Sequence, residues 1–291
     1  MLLEFCTLPS DAGKSVKQIM ESKFSLSSRT TTKLKKCGGI KVNGKVVTVR
    51  FTLSEGDVLT LSLSDTPSEN IEKVDIPLDI IYEDEDILVV NKPFGMPTHP
   101  SQGHHDDTLA NAVMYRYRNT DFTFRAITRL DGDTTGIVLI ARNALSAQRL
   151  SDALKNGEIV KEYAAVVCGI PVYKSGVIDA PIARCEDSII KRKISPEGKR
   201  AITRYELDFS RKDGLYSLVK AFPITGRTHQ IRLHLSHIDL PLYGDFLYGK
   251  ALDNVRAYLH CKSITITHPM TGERLTFEAP LPDDIKEIMQ I

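Results

Sequence analysis

The sequence predicts an α+β protein whose main body is a mixed, largely antiparallel sheet with few helices. Three observations carry this. From Ile81 onward, strand-like apolar runs recur at 87–90, 136–141, 163–167, 217–222, 263–267 and 274–277. Helical periodicity between them is sparse and irregularly placed, unlike the regular alternation of a doubly wound fold. The first 64 residues have their own pattern and charge, which sets them apart as a small α/β module.

In chain order, Val16, Ile19 and Met20 are spaced for one face of a helix. Residues 28–36 read as a second helix, with Ser27 or Ser28 as N-cap and Gly38-Gly39 as its exit. Residues 40–46 contain Asn43-Gly44 between apolar positions, the strongest local hairpin signal. Val58, Leu59 and Leu61 form a further strand. Residues 65–80, with Pro67, Ser68, Asn70 and Pro77, read as a linker before a main domain at 81–291. In that domain the clearest helix follows Asn143, with Ala147, Leu150 and Leu154 on one face and Gly157 at its end.

The overall charge of +1 conceals an uneven distribution. Residues 1–64 hold ten Lys and Arg against five Asp and Glu, whereas 65–86 hold nine acids and one base. A basic block tethered through an acidic segment fits a module that meets a polyanion; a solvated surface is the plain alternative. Five scattered cysteines form no C-x-x-C pair, so neither a disulfide framework nor a zinc knuckle is expected. No apolar run is long enough to span a membrane and the start lacks a signal-peptide pattern, so a cytoplasmic monomer is the expectation.

Two segments concentrate reactive groups. Arg129-Leu130-Asp131-Gly132-Asp133-Thr134-Thr135-Gly136 sets an arginine and two carboxylates in a loop between apolar runs. Rigid folds hold reactive groups in such loops, although Asp-Gly and Thr-Thr-Gly also serve as plain turns. Thr225-Gly226-Arg227-Thr228-His229-Gln230-Ile231-Arg232-Leu233-His234 gathers forked donors suited to phosphates, ribose hydroxyls and a carboxylate. His229, His234 and His237 invite a metal reading, but H-E-x-x-H is missing and Arg227 and Arg232 would repel a cation, so no metal is expected. His99, His104, His105, Asp106 and Asp107 read as a surface loop. Without a Walker loop or a strand-linked G-x-G-x-x-G, no nucleotide cofactor is expected, and G-x-S-x-G is absent as well.

Taken in order, Lys92-Pro93-x-Gly95 with His99-Pro100, Arg129-Leu130-Asp131 with Asp133-Thr134-Thr135-Gly136, Lys161-x-Tyr163-x-Ala165, Gly226-Arg227-Thr228-His229-Gln230-Ile231-Arg232, Gly244-Asp245-x-x-Tyr248-Gly249, and Leu259-His260 with His268-Pro269 resemble the RluA-type pseudouridine synthases of ribosomal or transfer RNA. The resemblance spans residues 1 to about 280. Helix 28–36 with Arg29, Lys33, Lys35 and Lys36, followed by the hairpin, resembles an αL RNA-binding domain. The resemblance implies RNA as partner, no cofactor, and Asp131 as an essential aspartate acting on a flipped uridine. It implies Arg232 as partner of Asp131, Tyr163 against the base and Leu259 closing the wall. Arg129, Arg227, His229 and Gln230 become RNA-binding residues, Arg129 filling the gap left by the extruded base. Thr128 stands where the family usually has His, and Gly132 where it usually has a basic residue; both bear on target choice. A noncatalytic RNA-binding protein and a two-carboxylate glycosidase are the competing readings. The intact Arg129-Leu130-Asp131, Tyr163 and Arg232 set opposes the first, and the lack of a second well-placed carboxylate beyond Asp133 opposes the other.

Overall fold

The computed structural model describes residues 2–24, 26, 28–62, 70–249 and 256–291, except the side chain of Arg29. Residues 2–62 form a sheet of their own. Its strands are β1 (Leu2–Cys6), β2 (Ile40–Val42), β3 (Lys45–Val46) and β4 (Val58–Ser62), in the order β1-β4-β2-β3 and antiparallel throughout. Two helices, α1 (Val16–Ser22) and α2 (Ser28–Lys36), cover one face. Ser15 caps α1 by accepting from the backbone N–H of Gln18 while the Gln18 side chain accepts from Ser15 N–H, a reciprocal capping box. The hairpin turns at Asn43 and Gly44 with φ of 49° and 77°, as a primed turn requires. Val16, Ile19, Met20, Leu34, Ile40, Leu53, Leu59 and Leu61 are buried together as the core of this unit. The expected helices, hairpin and final strand are therefore present; β1 was not foreseen. Ser27 and the first part of the expected 65–80 linker lie outside the described residues.

The main body is a nine-stranded sheet in the order β5-β6-β7-β14-β8-β13-β12-β9, with β15 also paired to β14. Its strands are β5 (Asp79–Glu83), β6 (Ile87–Lys92), β7 (Thr135–Ala141), β8 (Val160–Cys168), β9 (Ser175–Asp179), β12 (Ile202–Ser210), β13 (Tyr216–Pro223), β14 (Leu259–Thr267) and β15 (Arg274–Glu278). A separate hairpin, β10 (Ile182–Arg184) with β11 (Arg192–Ile194), projects beside it. The helices are α3 (Leu109–Arg116), α4 (Ala144–Lys155), α5 (Gln230–His237) and α6 (Asp283–Met289). Every ladder is antiparallel except β7 against β14. The sheet is mixed and mostly antiparallel, as the sequence predicts.

The topology turns on β14, the strand that joins the halves β5-β6-β7 and β8-β13-β12-β9. At the join Gly136 lies opposite Cys261, with φ of 107°. A Cβ there would sit 2.3 Å from the Cys261 carbonyl oxygen, so only glycine lets the strands approach. All seven residues of β7 are buried, and Val89, Val90, Val138, Leu139, Ala165 and Ile264 belong to the central cluster. Helix α4 begins at the expected cap, where the Asn143 side chain accepts from Ser146 N–H, and Gly157 follows its end with φ of 76°. Leu145 of α4 is buried in the core of the N-terminal unit, and Met270 packs against that core. Thr30 of α2 also donates to Gln148 of α4 at 3.3 Å. The described residues 70–78 contain no regular element, and Ile71, Ile76 and Leu78 lie along the main core.

Candidate active site

The Asp131 loop is held from beneath. Thr98 Oγ1 donates to the Leu130 carbonyl at 2.8 Å and accepts from Leu130 N–H at 3.1 Å. Gly95 N–H donates to the Gly132 carbonyl at 3.0 Å, and Thr134 N–H to the Asp131 carbonyl at 3.1 Å. Lys92 is fully buried below, its Nζ donating to the carbonyls of Pro93 and Met96 at 2.9 and 2.7 Å and reaching Gly132 O at 3.4 Å. Burial pulls its pKa down to about 7, against the pull of Asp131 and Asp133 and with a further push from Arg256. These contacts fix the loop geometry while the Asp131 side chain stays 32% exposed.

The opposite wall is the segment leading into α5. Arg232 is 2% exposed and forms a bidentate pair with fully buried Asp245, at 2.8 Å to Nε and 2.7 Å to Nη2. Asp245 also accepts from Leu247 and Tyr248 N–H at 2.9 and 3.2 Å. Burial works against the Arg232 charge, but Asp245 outweighs it, so its pKa is raised. The remaining Nη1 points to the loop, 3.9 Å from Asp131 Oδ2 and 3.7 Å from Asp133 Oδ2. Arg232 thus sits beside Asp131, yet its tight partner is Asp245, which local pattern left without a role even though it lies in the Gly244-Asp245-x-x-Tyr248-Gly249 segment.

His229 completes the contact set around the carboxylate, its Nε2 3.7 Å from Asp131 Oδ2. Its backbone is left-handed, with φ of 57°, at the N-cap of α5. Such a backbone is uncommon outside glycine and marks a turn held by its surroundings. Burial lowers the His229 pKa; Asp131 opposes this, while Arg232 and Arg192 reinforce it.

A cleft of about 750 Å³ lies between these walls. Tyr163 of β8 and Leu259 of β14 line it, 8% and 4% exposed. Burial, then Cys261 and Asp131, push the Tyr163 hydroxyl well above its ordinary pKa, so it enters neutral-pH chemistry as a phenol. Arg129 and Arg227 are exposed at the rim: Arg129 donates to Thr228 Oγ1 at 2.9 Å, and Arg227 to the Arg200 carbonyl at 3.0 Å. Asp131, Tyr163, Arg232, Arg129, Arg227, His229, Gln230 and Leu259 therefore share one cleft.

Gln230 differs from the others. Its carbonyl accepts from Thr225 Oγ1 and Arg227 N–H, and its amide donates to Ile202 O and Thr203 Oγ1, at 2.7 to 3.0 Å. The side chain is buried and tied to the protein, whereas the expectation was a contact with RNA. His234 is likewise internal, bonded to Thr203 Oγ1 and the Ala180 carbonyl, and His237 lies exposed at the end of α5. The three histidines do not converge. Asp84, Asp86 and His268 do approach one another, but Asp84 accepts from Tyr82, His268 and two backbone N–H groups. Thr128 accepts from Leu139 N–H at 3.0 Å, which ties it to β7. The 99–107 segment is an exposed turn closed by His104 and Asp107 at 2.6 Å, as expected of a surface loop.

The site is a carboxylate in a cleft, flanked by a fixed guanidinium and a buried phenol, carried on a mixed, mostly antiparallel sheet. The family described as RNA pseudouridylate synthase matches residues 86–237, and the chain belongs to it. It is an RNA pseudouridine synthase, which isomerises uridine to pseudouridine in RNA. The chain is 40% identical over 270 residues to the Bacillus subtilis protein described as the uncharacterized RNA pseudouridine synthase YjbO, covering 91% of this chain and 95% of that one. It is 36% identical over 269 residues to ribosomal large subunit pseudouridine synthase D of Vibrio cholerae, covering 86% and 82%. Among solved structures, human RNA pseudouridylate synthase domain containing 1 superposes with a TM-score of 0.59 at 27% identity, covering 70% and 83%.

Proposed function

We propose that Asp131 is the essential carboxylate of the isomerisation and that the target uridine leaves its stack to enter the cleft beside it. The observation that carries this reading is the pairing at Asp131: one half-exposed carboxylate in the cleft, with Arg232 Nη1 and His229 Nε2 both directed at its Oδ2. Cleavage of the base–ribose bond follows from attack of Asp131 on the anomeric carbon, or from its removal of the ribose 2′ proton to form a glycal. Either route uses an ionised, immobile carboxylate. Tyr163 then stacks on the base, its hydroxyl relaying the ring-carbon proton to solvent by releasing its own as it takes the new one, and Leu259 closes the apolar wall. Extrusion of the base costs a few kcal/mol, which RNA contacts offset. Arg129, Arg227 and His229 supply contacts at the cleft.

The division into an RNA-binding module at 1–64, a linker at 65–80 and a catalytic domain at 81–291 belongs to the same proposal. Lys33, Lys35 and Lys36 are exposed on α2, and with Arg29 they supply phosphate contacts outside the cleft. Similarity to the ribosomal large subunit synthase of Vibrio cholerae favours ribosomal large-subunit RNA over transfer RNA as target. The enzyme acts in the cytoplasm as a monomer; no described helix is long and apolar enough to cross a membrane.

Release of tritium from RNA carrying [5-³H]uridine tests the site. The wild type releases tritium, and Asp131→Asn, nearly isosteric, loses at least about a thousandfold in rate, as when a reacting group is removed. Retention of a substantial rate would mean that another group performs the step.

A further inference from the structure

The far side of His229 carries a further contact. Its Nδ1 lies 2.9 Å from the Tyr248 hydroxyl, and that hydroxyl accepts the backbone N–H of Arg192, at the start of β11, at 2.9 Å. A phenol has one proton to donate. Among the described residues, Nδ1 is the acceptor available to it, since the Arg192 N–H arrives as a donor. Nδ1 then carries no proton, and the neutral ring holds its proton on Nε2, the nitrogen facing Asp131.

We propose that Tyr248 fixes His229 as its Nε2–H tautomer and that His229 thereby turns an N–H dipole, 3.7 Å away, toward Asp131 and positions its carboxylate. The proposal rests on Asp131 being the essential carboxylate. Arg232 Nη1 and His229 Nε2 both approach Oδ2, at 3.9 and 3.7 Å. A ring protonated on Nδ1 instead would present a lone pair to the carboxylate and repel it. The left-handed backbone at His229 turns the imidazole across the gap between β11 and the Asp131 loop. Its rim position, with a side chain 9% exposed, keeps water from competing strongly for Nε2–H.

The charged and titratable groups facing His229 are Asp131 from the loop before β7, Arg232 on α5, Arg192 on β11, and Asp245 and Tyr248 from the segment after α5. Burial raises the Tyr248 pKa, so its hydroxyl remains a donor at neutral pH. Burial likewise keeps His229 neutral there, its proton uptake lying below the usual imidazole range. With the hydroxyl removed, the Nδ1 lone pair is unpartnered and protonation becomes easier. The sign follows: the His229 pKa rises toward the ordinary imidazole value.

The test uses the full chain with ¹⁵N-labelled histidine. Long-range ¹H–¹⁵N correlation spectra at pH 8, assigned by the signals lost in His229→Gln, show which ring nitrogen is bare. The expected result is a bare Nδ1 and a protonated Nε2; a protonated Nδ1 in the wild type overturns the proposal without any variant. The second arm compares Tyr248→Phe with wild type in tritium release. Expected are a loss of about tenfold in kcat, a KM within about twofold, and a His229 ring that takes up its second proton at higher pH in the same spectra. An unchanged His229 titration with Nδ1 still bare in the folded variant overturns the proposal. Failure of the Asp131 assignment reads out separately: Asp131→Asn would then retain turnover while the nitrogen signals stayed as expected.

Discussion

The N-terminal unit and the cleft both gather cations, and they treat them oppositely. On α2, Lys33, Lys35 and Lys36 stand in solvent on long, mobile stems. In the cleft, Arg232 is 2% exposed and clamped by Asp245 through two hydrogen bonds, so one nitrogen alone reaches the loop. A charge meant to follow any phosphate profits from freedom; a charge that holds one oxygen in place must be fixed before substrate arrives. The contrast separates affinity from turnover, and each can be broken alone.

The largest effects lie in the cleft. Asp245→Ala leaves the Arg232 charge buried without its partner, which costs about 3–5 kcal/mol of stability in urea unfolding. Arg232→Ala loses the support of Asp131 and is severely impaired in tritium release, while binding RNA close to normally. A near-normal rate for Arg232→Ala would transfer its role to another cation, Arg227 first. By contrast, Asp131→Asn should unfold at a urea concentration close to that of the wild type.

Lys92 gives a smaller effect with a defined pH window. Its pKa is about 7 in the folded protein and near the ordinary lysine value of 10.5 in the unfolded chain. Between those values the unfolded chain holds a proton that the folded one lacks, so stability rises with pH from 7 toward 10. Asp131, Asp133 and Arg256 are the charges that face it. In Lys92→Met that rise is absent. An identical pH dependence in the two proteins would show that Lys92 keeps its charge when buried.

The N-terminal charges act on binding. Each single-strand phosphate neutralised contributes about 0.7 to the slope of log affinity against log salt. Replacing Lys33, Lys35 and Lys36 by Ala therefore reduces the slope by about 2, and lowers the rate at limiting RNA more than at saturating RNA. An unchanged slope would return α2 to a plain charged surface. Smallest of all is the effect of a chelator: EDTA leaves the rate unchanged, and loss restored specifically by zinc would point to Asp84, Asp86 and His268.

Legibility from sequence followed the range of the interactions. The α2 helix, the Asn43-Gly44 hairpin and the α4 cap depend on residues a few positions apart, and all were readable. Helix α5 was not, because its inward face carries Gln230, Arg232 and His234 beside Ile231 and Leu235, which breaks the apolar period. Those polar groups are satisfied by Asp245, Thr203 and the Ala180 carbonyl, 13 to 54 residues away, which no local pattern reveals. Gln230 shows both ranges: its carbonyl accepts from Thr225 and Arg227 close by, while its amide donates to Ile202 and Thr203, 28 and 27 residues away. Strands β9 to β12 were missed because they are short or half-exposed.

The place of β14 orders events in time as well as in space. Chains are made from the N-terminus, and domains generally fold as they are completed. Residues 2–62 can assemble their sheet early, before any of the cleft exists. The halves β5-β6-β7 and β8-β13-β12-β9 wait for Leu259–Thr267 to join them, and β14 also brings Leu259 to the pocket wall. Contacts between positions 125 residues apart, such as Thr135 with His260, are slow to form because the intervening loop must close. A chain still on the ribosome thus has its N-terminal unit long before it has a pocket, and isomerisation waits until about the last tenth of the sequence is reached.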